Sequence, residues 1–295
     1  MTRGPLKTVH LAVHGDVFKA LYFDWERLEL RPNLVFVDAN GSVVYEINDL
    51  GLKGPPLDSR RKLAVVWGDS VVFGVERSWP CLIDELAPGY QFLNGGIEGD
   101  GYANILRRAE AFNRQHKVAL NLLMLGWHPH SMFLFEQVAQ QQQAGERPGR
   151  FRQLFRREAA TTAGNRELRE RLSGFLRAVP NTVLLTMPTA LNPSIIGRDL
   201  SEFFVTGANS FTFLGRLPYS IERQRGAYAF IRERNQIARE VCELTNIPVV
   251  DLFKHFDTEG LAEFREWFGD ILHFRPSAYP LVAQAVHAGI RDLLV

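Results

Sequence analysis

The chain has 295 residues, 46% of them hydrophobic and 23% charged, with 34 Lys and Arg against 33 Asp and Glu for a formal net charge of +1. That length holds one large domain or two small ones with a substantial core, so disorder is not the expected state. The near-neutral balance gives no electrostatic footprint for a nucleic-acid or polyanion binder, and two cysteines, Cys81 and Cys242, are too few for a disulfide scaffold.

The first 13 residues are too short and too interrupted for a signal-peptide apolar region, and no window approaches the roughly 18 apolar residues of a membrane span. A soluble, cytoplasmic protein is the expectation. Short β-like runs at 8–13, 34–37 and 42–45, with a turn at Asp38-Ala39-Asn40-Gly41, read as a β-rich extension over residues 1–60. Gly54-Pro55-Pro56 breaks that pattern. From Leu63 onward, predicted strands at 63–67, 91–94, 120–125, 182–186 and 248–251 alternate with predicted helices at 79–86, 102–115, 165–178, 221–244 and 278–294. This alternation is the signature of a parallel sheet covered on both faces. An α/β fold follows for residues 61–295: three layers, α/β/α, flavodoxin-like with a mainly parallel sheet. Two stretches interrupt it: a polar, basic connection at 140–157, and a Pro-, Gly- and Phe-containing loop at 190–219 that reads equally as packing or as a lid.

The segment Val65-Val66-Trp67-Gly68-Asp69-Ser70 ends an apolar strand in Gly-Asp-Ser, which puts Ser70 at a strand's carboxyl end, where sites in open α/β sheets lie. The plainer reading of the tripeptide is a helix N-cap. A serine nucleophile needs a base, and the base needs a partner that fixes its tautomer. Asp270-Ile271-Leu272-His273, just ahead of the last helix, offers both. A third element, Asn94-Gly95-Gly96-Ile97-Glu98-Gly99-Asp100-Gly101, suggests a backbone that approaches a ligand closely, with the Gly96 amide as an oxyanion donor beside that of Ser70.

In order and spacing these elements resemble the SGNH, or GDSL-like, serine hydrolases over roughly residues 60–295. Gly68-Asp69-Ser70 with Gly74 is similar to that family's first block, Asn94-Gly95-Gly96 to its second, and Asp270-Ile271-Leu272-His273 to its last. Arg234-Asn235, on a long helix leading into Ile247-Pro248-Val249-Val250-Asp251, looks like the family's penultimate unit. The resemblance implies a Ser70, His273, Asp270 triad with no cofactor. The third block departs from the pattern: Gly126-Trp127-His128 stands where the family has Gly-x-Asn. His128 is then either a substitute oxyanion donor or a structural histidine. Asp69, Trp127 and His130 are assigned to substrate contacts. His128-Pro129-His130 also raises a metal reading. That reading is set aside, because the triad already accounts for Asp270 and His273. The expected activity is ester hydrolysis through an acyl-enzyme, on an acyl or acetyl ester of a carbohydrate or small metabolite. O-acyl transfer to a glycan or natural-product acceptor is the alternative, and a non-catalytic binding protein on the same fold comes third. Neither a nucleic-acid partner nor a membrane span is expected, and a homo-oligomer is left open.

Overall fold

A computed structural model describes residues 7–10, 22–24, 26–74, 77–126, 162–197, 221–257 and 266–294. The segment at 140–157, and 198–219 of the Phe-containing loop, lie outside the described residues. The central sheet has five parallel strands in the order β10-β9-β8-β6-β7. They are β6 (Lys62–Gly68), β7 (Tyr90–Gly96), β8 (Leu120–Met124), β9 (Thr182–Leu185) and β10 (Val249–Val250). The first strand of this unit, β6, is flanked by the second and third, so the order reverses at β6, the kind of switch point beyond whose strand carboxyl ends ligands bind in open α/β sheets.

Side-chain alternation places helices on both faces. Ala64 and Val66 of β6 point into one core with Trp79 and Ile83 of α2 (Trp79–Leu86) and Val282, Val286 and Ile290 of α7 (Tyr279–Ile290). Leu63, Val65 and Trp67 point into the other, against α3 (Tyr102–Gln115), α4 (Thr162–Ala178) and α5 (Ile221–Thr245). The sheet strands are buried on both faces, which is why they read as apolar runs. The predicted boundaries differ from the observed ones by up to four residues, as two elements show. The last predicted strand, 248–251, shortens to Val249–Val250, because the Asp251 side chain accepts from the Lys254 amide and starts α6 (Leu252–His255). The last predicted helix, 278–294, is α7 flanked by single 3-10 turns.

The β-rich segment holds β1 (Lys7–His10), β4 (Leu34–Val37) and β5 (Val43–Ile47) in one small sheet, with a hairpin of β2 (Phe23–Asp24) and β3 (Glu29–Leu30). Lys53 is one of the residues that join it to the central sheet. Lys53 bridges Ile47 on one side and Asn94 of β7 on the other, exchanging backbone hydrogen bonds of 2.8 and 2.9 Å with Asn94. The apolar core of this segment, including Tyr22, Phe23, Phe36 and Ile47, packs on Phe73 and Ile97.

Candidate active site

Strand β6 ends at Gly68, and the chain turns at once into the one-turn helix α1 (Ser70–Phe73). Asp69 caps it: its Oδ1 accepts from the Val71 amide at 3.0 Å. The Asp69 carboxylate is 2% exposed. Its side chain is thus part of the turn that carries Ser70. Burial pushes its carboxyl up to about 6, with the Asp100 charge adding to the rise and the Val71 amide and the His273 charge opposing it.

From the other side, residues 267–275 form a small closed loop. Gly269 N–H donates to His273 O at 2.8 Å, Arg275 N–H donates to Trp267 O at 2.8 Å, and the rings of Phe268 and Phe274 stack 4.8 Å apart. Thr189 Oγ1 and the Ala190 amide both donate to Ile271 O, at 2.8 and 2.9 Å, and tie the loop to the segment after β9. Asp270 Oδ1 accepts from the amides of Leu272 and His273, each at 2.8 Å. Its Oδ2 lies 2.7 Å from His273 Nδ1, and His273 Nε2 lies 2.8 Å from Ser70 Oγ. An ionised carboxylate only accepts, so Nδ1 carries the proton and Nε2 is left to accept from the Ser70 hydroxyl. The three side chains, 203 positions apart at their extremes, form one hydrogen-bonded line.

Burial alone would lower the His273 pKa. The charge and hydrogen bond of Asp270, with the charges of Asp69 and Glu98, outweigh it and hold the imidazole above its ordinary 6.5. Burial would likewise raise Asp270, but the His273 charge and the hydrogen bonds from His273 and Leu272 keep it below the ordinary 3.8.

The glycine-rich loop follows β7. The Gly96 amide, the expected oxyanion donor, donates to Asn94 Oδ1 at 2.8 Å. Among the described residues the amides of Ser70, Glu98 and Gly99 have no acceptor, and the chain turns at Gly99 with φ of 65°. The loop is clamped by a buried ion pair: Arg108 Nε and Nη2 donate to Asp100 Oδ2 at 3.1 and 2.8 Å, and Nη1 donates to Gly95 O at 2.8 Å. Glu98 accepts a 2.7 Å hydrogen bond from the Tyr22 hydroxyl. Sequence reasoning missed this carboxylate, since nothing local marks its charge as one that acts on His273. A Cβ on Gly126 would meet Asp100 O at 2.7 Å and Asp69 Oδ2 at 3.3 Å, so the start of the Gly-Trp-His segment lies against the same turn. Trp127, His128 and His130 lie outside the described residues, as does the metal reading that rested on the two histidines. Asn235 on α5 holds the end of β9, donating to Met187 O at 2.8 Å and accepting from its amide at 2.9 Å.

Three solved structures to which the chain is similar are a lipase/acylhydrolase from Enterococcus faecalis, a GDSL-like lipase from Bacteroides thetaiotaomicron, and a catalytic mutant of Axe2, an acetylxylan esterase from Geobacillus stearothermophilus. Identities are 18%, 14% and 16%, with TM-scores of 0.49, 0.47 and 0.48. The matches cover 78%, 80% and 80% of this chain and 96%, 91% and 95% of those chains. No family model and no curated protein matches the chain. The chain itself has an α/β fold with a five-strand parallel sheet, a serine opening the turn after the first central strand, and Asp-x-x-His ahead of the last helix.

Proposed function

We propose that the protein is a serine ester hydrolase of the SGNH kind, acting through an acyl-enzyme on a small acyl ester, with acetyl esters of carbohydrates or metabolites as the substrate class. The observation that carries the reading is the 2.8 Å and 2.7 Å line from Ser70 through His273 to Asp270. His273 Nε2 takes the Ser70 proton as Oγ attacks the carbonyl carbon, and Asp270 holds the imidazole in the required tautomer and stabilises its charged form. The developing oxyanion is met by the Ser70 amide and an amide of the 98–99 turn, in place of Gly96, with His128 as a third donor. The tetrahedral species collapses as His273 passes the proton to the leaving alkoxide. Water then adds to the acyl-enzyme with His273 as base, and the acid leaves with Ser70 restored.

The test is turnover of an acetyl ester such as p-nitrophenyl acetate by the parent and by Ser70→Ala. Loss of turnover in the folded variant is expected, and equal turnover would overturn the proposal. Product analysis with added sugar hydroxyl acceptors separates hydrolysis from transfer: free acetate as the main product supports the hydrolase, and an acetylated acceptor supports the acyltransferase reading.

A further inference from the structure

We infer that Lys53, contributed by the N-terminal β-rich segment, is a positioning residue for Ser70; the inference rests on the serine hydrolase reading above. Lysine is almost never fully buried unless its ammonium is held, yet Lys53 is 1% exposed. Its Nζ donates to Phe73 O at 2.9 Å and to Gly74 O at 3.2 Å, the carbonyls that end the one-turn helix whose first residue is Ser70. The ammonium lies 4.2 Å from the centroid of the Tyr45 ring and 4.4 Å from that of Phe73. A cation against terminal helix carbonyls is favourable, and the faces of two aromatic rings favour it further.

The geometry points to positioning because α1 is a single turn and has little stiffness of its own. Asp69 holds its amino end through the Val71 amide. Its carboxyl end is held by Asn94 Nδ2, which donates to Val72 O at 2.8 Å and to Phe73 O at 3.1 Å, and by Lys53. Both holders are fixed in turn, since Lys53 and Asn94 are paired to each other through their backbones. His273 is anchored separately, on the 267–275 loop and the segment after β9. The 2.8 Å contact between Ser70 and His273 therefore joins two parts held by different hydrogen bonds, and Lys53 supplies two of those on the serine side. Misplacing a reacting group by about 1 Å costs on the order of 100-fold in rate.

The experiment compares the parent with Lys53→Met, which keeps the apolar stem and removes the donors. A separate aliquot of each protein is labelled to completion with a fluorophosphonate to count functional serines, and kcat and KM of the unlabelled protein for p-nitrophenyl acetate are expressed per such site. The expected result is a 10- to 100-fold lower kcat per site with KM within about twofold of the parent. If Lys53 only supports the fold, thermal stability falls while kcat per site stays parental, which overturns the inference. Should Lys53→Met fail to fold, Lys53→Leu, which also lacks a donor, carries the test on the same readout, and parental kcat per site in it overturns the inference. A folded parent that neither labels nor turns over ester overturns the hydrolase reading and this inference with it. A labelled, active parent beside a variant of parental kcat per site overturns the inference alone.

Discussion

Asp69→Asn should make the protein more stable at pH 8 relative to its stability at pH 4, at a cost to the base. The Asp69 carboxyl is 2% exposed, and burial lifts it from the ordinary 3.8 to about 6. The folded state therefore holds a proton between those values that the unfolded chain releases, and the parent loses stability as pH rises through that window, levelling off above about 6. At ~1.4 kcal/mol per pH unit, a window of about two units is worth roughly 3 kcal/mol. Asparagine keeps the Oδ1 acceptor for the Val71 amide but has no charge to desolvate. Its new amide hydrogens carry their own burial cost, which is independent of pH. The clean quantity is thus the change in the stability difference between variant and parent. Urea denaturation of both at pH 4, 5, 6, 7 and 8 should give a difference that moves in favour of the variant by about 3 kcal/mol across the series, mostly below pH 7. The Asp69 charge also supports the raised His273 pKa, so the acid limb of kcat/KM should move to lower pH in the variant. A stability difference that stays flat from pH 4 to pH 8 would refute the argument that a buried Asp69 charge is held at the site.

Asp270→Asn keeps an acceptor for the loop amides but presents the wrong partner to Nδ1, and kcat should fall on the order of 10⁴-fold with the fold intact, measured by steady-state turnover and circular dichroism. The acid limb of the parent's kcat/KM should lie above the ordinary imidazole value of 6.5, because His273 must lose its proton to act as base. Glu98→Gln should move that limb down, since the Glu98 charge is one of the groups that raise His273; a limb unmoved in the pH profile would count against this electrostatic account. Arg108→Met strands the Asp100 carboxylate, which is buried with the guanidinium as its ion-pair partner, and should cost about 3 to 5 kcal/mol in chemical denaturation.

The central sheet was legible because both its faces are covered: β6, β8 and β9 are short apolar runs, and the helices between them carry one apolar side each. The Ser70, His273 and Asp270 contact was legible as chemistry, since Asp-x-x-His supplies a base and its orienter within one short loop. A glycine count cannot tell which amide in a glycine-rich loop is free, and here the neighbouring Asn94 side chain takes the Gly96 N–H. For Gly-Asp-Ser the plainer cap reading was legible too, and Asp69 does cap the turn through the Val71 amide. Lys53 could not be found from sequence at all. A lysine after a polar turn reads as exposed, and its burial follows from long-range pairing to Asn94 and from the aromatic packing of Tyr22, Phe36 and Tyr45 onto Phe73, which no local pattern encodes.

The most direct test of the account is intact-mass and peptide analysis after exposure to a fluorophosphonate at neutral pH. A hydrogen-bonded Ser70 with His273 as base should give a single adduct, located on Ser70 and lost in Ser70→Ala. A folded parent that gains no adduct, or a Ser70→Ala variant that gains the same one, would contradict the claim that Ser70 is an activated nucleophile.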